Sequence, residues 1–176
     1  MRMNALRLTG LTVMACLLTM AVGCSSSDCY ENHSAMPLAD FFSTETFSQV
    51  NVNRLEIYGL GAPNDSVLYF DETLSQAYLP FRIWSDTTTY IFAYLAFLPD
   101  GDDVQQDQKL VPHDTLTFIY KRQPWFVSPG CGAMYYFDMD TVVHTSVLID
   151  SVYVNPIITN ENSSNIKIFF KSGING

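Results

Sequence analysis

Cys24 and Cys29, five positions apart in LLTMAVGCSSSDC, and Cys131 in PGCGA are the side chains of this 176-residue sequence best equipped for chemistry. A thiolate can attack an acyl centre, ligate a soft metal or pair into a disulfide, and its neighbours decide which. Nucleophilic use of Cys131 would need His113 or His144 as base, and no orienting third group is identifiable. Among Cys29, Cys131, His33, His113 and His144, no pair has the C-x2–4-C or H-x3–5-H spacing of a structural zinc site, given as the usual range. Cys24 is different, because it follows Ala21-Val22-Gly23 at the end of an apolar run. Small residues there suit a lipobox, with Ala21 in place of the usual leucine, and the cysteine would take a diacylglyceryl group. The same residues also fit ordinary A-x-A-like cleavage, but a cysteine at the first mature position followed by serines favours acylation of Cys24. Cys16 leaves with the signal. Cys29 and Cys131 then remain as the simplest pair for a disulfide in an exported chain. Their bond would close a loop of about 100 residues, for which chain entropy gives roughly 4 to 5 kcal/mol.

Two further sets of residues could bind. The loop DGDDVQQD offers Asp100, Asp102, Asp103 and Asp107 to a hard cation, yet Gln105 and Val111 stand where an EF-hand needs glycine and glutamate. A solvated hairpin loop is the favoured reading, so no metal and no cofactor are expected. Trp84 and Trp125 could stack on a sugar ring or pack in a core. The stretch TYIFAYLAFL is apolar on both faces, with Tyr90, Phe92 and Tyr94 on one and Ile91, Leu95 and Phe97 on the other. Either it is a central strand covered on both sides, or Tyr90, Phe92 and Tyr94 form a patch that takes a partner or an acyl ligand. No G-x-S-x-G elbow, P-loop or Rossmann glycine pattern occurs, and Asp150 with Glu161 is the only carboxylate pair worth naming. The chain is expected not to be an enzyme.

The elements that would hold these residues are mostly strands. MRMNALR carries two arginines and no acid, and Leu8 to Val22 is apolar or small, so residues 1–23 are expected to be a lipoprotein signal peptide and 24–35 an acylated tether. Residues 36–176 are expected to form one antiparallel β-sandwich, with a small β-barrel as the alternative. Leu116, Phe118 and Tyr120 alternate with Thr115, Thr117 and Lys121, and Ile166, Ile168 and Phe170 alternate with Lys167, Phe169 and Lys171. Other strands are expected at 53–58, 65–70, 79–83, 89–98, 124–128, 133–137 and 146–154, with turns at 59–65, 85–88, 99–103 and 159–165. Leu38, Phe41 and Phe42 have helical spacing, which suggests a short helix within Pro37 to Phe47.

Charge narrows the partners. With 48% hydrophobic and 15% charged residues the chain can build a proper core, and its formal charge is −9. The signal holds two of the nine Lys+Arg and none of the eighteen Asp+Glu, so the mature chain carries −11. Such a surface repels nucleic acid and anionic lipid, so no nucleic-acid partner is expected and the membrane would be reached through the lipid on Cys24. Ser25 in place of aspartate suits export to the outer membrane, facing the periplasm or the cell surface. A transmembrane barrel has little need of a lipid anchor and is set aside.

With CSSSDC, DSVLYF, LPF, VSPGCG and NENSSNIKIFF in view, the sequence resembles a family of small lipoproteins from Bacteroidetes-type bacteria, a domain of unknown function. The resemblance implies an exported lipoprotein with two further cysteines and supplies no catalytic residues. The expected function is a lipid-anchored envelope protein, a non-enzymatic binding or assembly module with a possible envelope protein partner. The alternatives are a glycan- or small-ligand-binding module marked by Trp84 or Trp125 beside a polar cleft, and a hydrolase using Cys131.

Overall fold

The computed structural model describes residues 36–63, 66–97, 111–128, 132–159 and 163–173. Cys24, Cys29, Cys131, the Asp100–Asp107 loop and Glu161 lie outside the described residues, as do the signal peptide and tether.

Ten strands follow one another: β1 (Leu38–Ser43), β2 (Val52–Gly59), β3 (Val67–Leu74), β4 (Gln76–Tyr78), β5 (Thr87–Tyr94), β6 (His113–Ser128), β7 (Gly132–His144), β8 (Ile149–Val154), β9 (Ile157–Ile158) and β10 (Ser164–Phe170). The fold is all-β, and the described residues contain one 3-10 turn, Leu95–Phe97, and no α-helix. One sheet has the order β4-β1-β10-β8; the other, β3-β2-β5-β6-β7-β9, curls into a half-barrel. Their inner faces share one core, because each strand turns its apolar set the same way. Leu116, Phe118 and Tyr120 of β6 and Ile166, Ile168 and Phe170 of β10 are all buried, as the alternation requires.

Four expectations change. The segment Pro37 to Phe47 holds strand β1 and not a helix: Ala39 and Phe41 point inward at period two, and Phe41 meets Phe170 edge-on at 5.3 Å. The sandwich is not purely antiparallel, since β1 runs parallel to β10, pairing Phe41 with Ile168. The expected strand at 124–128 is the outer part of β6, which continues unbroken from His113. The expected strand at 79–83 is an irregular segment, because Pro80 has no N–H to give a ladder and the chain must leave β4 there. Its alternation survives only in Leu79 and Phe81, both buried, while Ile83 is exposed.

Strand β5 lies centrally between β2 and β6. Tyr90, Phe92 and Tyr94 are 3%, 0% and 1% exposed, and Ile91 and Ala93 on the other face are also buried. These three aromatic residues are core and present no surface to a partner, which corrects their candidacy as binding residues. Phe92 and Tyr94 bury large rings against β1 and β10, with Phe41–Phe92 at 6.4 Å and Tyr94–Phe170 at 6.5 Å, so this strand locks the two sheets together.

The registers fix two ends of the domain. Parallel pairing sets Leu38 beside Ser164, and antiparallel pairing sets Ile166 beside Val154. From Val154 the chain crosses to β9, where Ile158 pairs with Phe137 of β7. The chain therefore enters the domain at the end from which the β6–β7 hairpin projects, with Phe126 opposite Ala133 beyond Phe137. The far end carries Asp114 and the β7–β8 connection.

Candidate functional site

Leaving β4, residues 79–86 cross the entry end of the domain and lay Trp84 on the surface. Phe81 is the plug. Its ring stacks on Tyr120 at 4.7 Å and 7°, and meets Phe118 at 4.9 Å and Phe137 at 5.2 Å. Around that plug the backbone is tied at successive points. The Tyr90 hydroxyl donates to the Pro80 carbonyl. The Tyr120 hydroxyl donates to the Arg82 carbonyl at 2.9 Å, and the Arg82 N–H donates to Thr88 Oγ1 at 3.0 Å. Since Tyr120 has given its proton to Arg82, the Thr88 hydroxyl donates to Tyr120 across 2.6 Å. Arg122 of β6 donates from Nη1 to the Ile83 carbonyl at 2.8 Å and from Nε to Asp86 at 2.7 Å. The Arg82 guanidinium donates to the Leu60 carbonyl in the neighbouring β2–β3 turn.

Burial raises the pKa of both phenols, and most strongly that of Tyr90, where the nearby Tyr120 adds to the effect. Both remain protonated donors through the ordinary pH range, so the ties persist.

Against this restraint Trp84 is 70% exposed, the most exposed tryptophan position of the described chain. An indole would gain about 1.5 to 3 kcal/mol by burial, so holding it outside on a rigid loop needs a reason beyond folding. Beside it opens a cleft of about 180 Å³, lined among others by Gly59, Ala62, Leu68, Phe81 and Arg82. That is the size of a single ring: a cavity of about 150 Å³ takes benzene. Two glycines shape the wall. A Cβ on Gly59 would come within 3.4 Å of Ala62 and 3.9 Å of Tyr90, and Gly61 turns the chain at φ +69°. Strand β3 bounds the cleft as the free edge of the larger sheet, with Val67, Leu68 and Phe70 exposed.

The other expected site residues fall elsewhere. Trp125 is exposed on the outer part of β6, near Tyr136 at 6.4 Å, with no described cleft beside it. His113 lies at the start of β6, with Nδ1 3.0 Å from the Val111 carbonyl, and His144 pairs with Leu116. Position 131 adjoins Gly132, twelve residues along β6 from that pairing, so either histidine stands about 40 Å of strand away from it. This geometry does not assemble the Cys131 nucleophile with His113 or His144. Asp150 is an exposed residue of β8. Among the described residues no group of three His, Cys, Asp or Glu could hold a metal ion.

One polar cluster was invisible in the sequence. Asp114, fully buried at the far end, accepts from the Tyr94 hydroxyl at 2.8 Å, the Thr145 hydroxyl at 2.8 Å, and the N–H groups of Val147, Leu148 and Ile149 at 2.7 to 2.9 Å. Burial alone would raise its pKa, but the three backbone donors and Tyr94 outweigh it and hold the carboxyl below the ordinary value. Every donor belongs to the connection between β7 and β8 or to β5, so Asp114 is a clamp and offers no vacancy to a substrate. Within the Trp84 site, sequence reasoning found Trp84 and missed Arg82, Thr88, Tyr120 and Arg122. Only the break in alternation at Ile83-Trp84, straight after Leu79 and Phe81, signalled it.

No curated protein and no solved structure matches the chain. The model of a family of unknown function, DUF6452, matches residues 54–170, from the middle of β2 to the end of β10, and so spans both sheets, the Trp84 loop and the Asp114 clamp. The chain belongs to that family of unknown function, DUF6452.

Proposed function

We propose that the protein is a non-enzymatic binding module, held at the bacterial outer membrane by a lipid on Cys24, that takes an apolar, ring-sized group of an envelope protein partner into the Trp84 cleft. The observation that carries this reading is the exposed indole on a loop tied at Pro80, Arg82, Ile83 and Asp86. A preformed anchor of this kind loses little entropy on binding, and exposed tryptophan beside a small pocket is the usual composition of an interface hot spot. The cleft wall is mainly apolar, which favours a side-chain ring over a sugar. The glycan reading keeps one supporting observation, the open face of Trp84.

The Cys29–Cys131 disulfide belongs to the same reading. Cys29 precedes Met36 by seven residues, a reach of about 25 Å, and the chain enters the domain at the end where the β6–β7 hairpin projects. Peptide mapping under non-reducing conditions is expected to return the Cys29–Cys131 pair, and two free thiols would remove it.

The binding experiment places a photo-crosslinking phenylalanine at Leu68 in the membrane-bound protein and compares Trp84→Ala and Gly59→Val with Trp125→Ala. Adducts lost in the first two and kept in the third support the cleft. Equal adducts in all three overturn it. Saturable quenching of Trp84 emission by free sugars, without protein adducts, would establish the glycan reading instead.

A further inference from the structure

The β6–β7 hairpin outside the core has an unusual surface. In a chain with formal charge −9, no charged residue occurs between Arg122 and Asp138. Lys121 pairs with Asp138 at the base of the arm, and beyond that pairing the described residues are uncharged. Trp125 and Phe126 are 57% and 66% exposed. Being consecutive in a strand, they stand on opposite faces of the ribbon. Trp125 shares its face with Tyr136, and Phe126 shares its face with Tyr135 through the pairings Phe126–Ala133 and Pro124–Tyr135. A protein partner or a sugar covers one face of a ribbon. Aromatic rings on both faces suit a medium that surrounds the arm.

We propose that this hairpin arm enters the headgroup region of the phospholipid bilayer that holds the protein, with Trp125 and Phe126 as its interfacial anchors. The inference rests on the lipid-anchor reading of Cys24. Twelve residues separate Cys24 from Met36, a span of at most about 40 Å, and the chain enters the domain at the end from which the arm projects. A lipid on Cys24 thus delivers this end of the domain to the membrane. Tryptophan and tyrosine settle at the headgroup level, where an apolar ring and a polar edge are both satisfied. One acyl anchor binds a bilayer only weakly, and an aromatic arm supplies a second contact that does not depend on charge. That independence matters because the acidic surface is repelled by anionic lipid. The Arg122 contact to Ile83 sets the Trp84 loop three residues behind Trp125, so the cleft would open just above the headgroups.

The test uses the full chain expressed in a Gram-negative host, purified from its membranes and reconstituted into phosphatidylcholine vesicles brominated at carbons 6 and 7. Trp84→Phe leaves Trp125 as the reporter, and Trp125→Phe leaves Trp84. Bromine is expected to remove roughly half of the Trp125 emission, since interfacial rings sit within about 5 to 10 Å of the acyl boundary, and to leave Trp84 nearly unchanged. Unquenched Trp125 in a vesicle-bound, acylated chain overturns the arm alone. Equal quenching of both tryptophans also overturns it, because the whole end would then lie flat on the lipid. Acylation is read separately from the mass of the Cys24 peptide. An unmodified Cys24 overturns the anchor, and the inference with it.

Discussion

The two ends of this domain use the same device for opposite ends. At the far end, the β7–β8 connection is tied to a carboxylate, Asp114, that is itself fully buried, and five donors converge on it. At the entry end, residues 79–86 are tied by Tyr90, Tyr120, Thr88 and Arg122, yet the ties hold an indole out in solvent. Both segments lack a ladder of their own, so side chains must satisfy their backbone groups. The difference lies in what sits at the centre. A clamp hides its most polar atom, whereas a presentation loop hides its plug, Phe81, and displays its tip. Density of hydrogen bonding therefore does not identify function by itself; restraint combined with an exposed large apolar ring does.

Removing the clamp should have the largest effect. Asp114→Ala orphans five donors in a dry site, a loss of about 5 kcal/mol, which approaches the whole stability of many domains. Denaturant unfolding measures it. Asp114→Asn is the gentler probe, and it also changes the acid limb. Folding lowers the Asp114 pKa, so the stability it contributes is complete above the unfolded value of about 3.9 and is lost as pH falls through the lower folded value. Asp114→Asn should flatten stability against pH below about 4, and an unchanged acid limb would deny the carboxylate this role.

The strand pattern foretold most of the framework and little of either end. Period-two runs such as Leu116-Phe118-Tyr120 and Ile166-Ile168-Phe170 announce themselves because one face of each is core. β1 was misjudged because Leu38, Phe41 and Phe42 satisfy a helical spacing as well, and its strand state depends on β10, 126 residues later in the chain. That is a non-local effect no short window contains. Asp114 looked like one more surface acid beside His113, since nothing in HDTLTF says that Thr145 to Ile149 will fold back over it. The face of Tyr90, Phe92 and Tyr94 was legible as apolar but not as covered, because the cover comes from the other sheet.

Removing the plug should come next. Phe81→Ala leaves a cavity among Phe118, Tyr120 and Phe137 and is expected to cost about 3 to 4 kcal/mol. It should also free the loop, so a narrower Trp84 fluorescence anisotropy gap between the variant and a denatured chain is the sharper readout. A stability loss with unaltered Trp84 anisotropy would separate the plug from presentation. Arg122→Ala is smaller, about 1 kcal/mol, because its pairing with Asp86 is partly exposed and weakened by solvent and salt. What remains of that loss in high salt belongs to the Ile83 carbonyl contact, which Asp86→Asn leaves intact.

The smallest effect on stability should accompany the largest effect on binding. Trp84→Ala removes a ring that the fold leaves 70% exposed, so little buried area is lost and the change in unfolding free energy should stay within about 0.5 kcal/mol. The loop keeps its ties, because none of the bonds from Tyr90, Tyr120, Thr88 or Arg122 reaches the indole. If the cleft is a recognition site, the same substitution should cost at least about 2 kcal/mol of affinity, some thirtyfold, as truncation of a tryptophan hot spot does. A large stability loss in Trp84→Ala would instead make this ring a structural element like Phe81. The contrast between the two ends would then vanish.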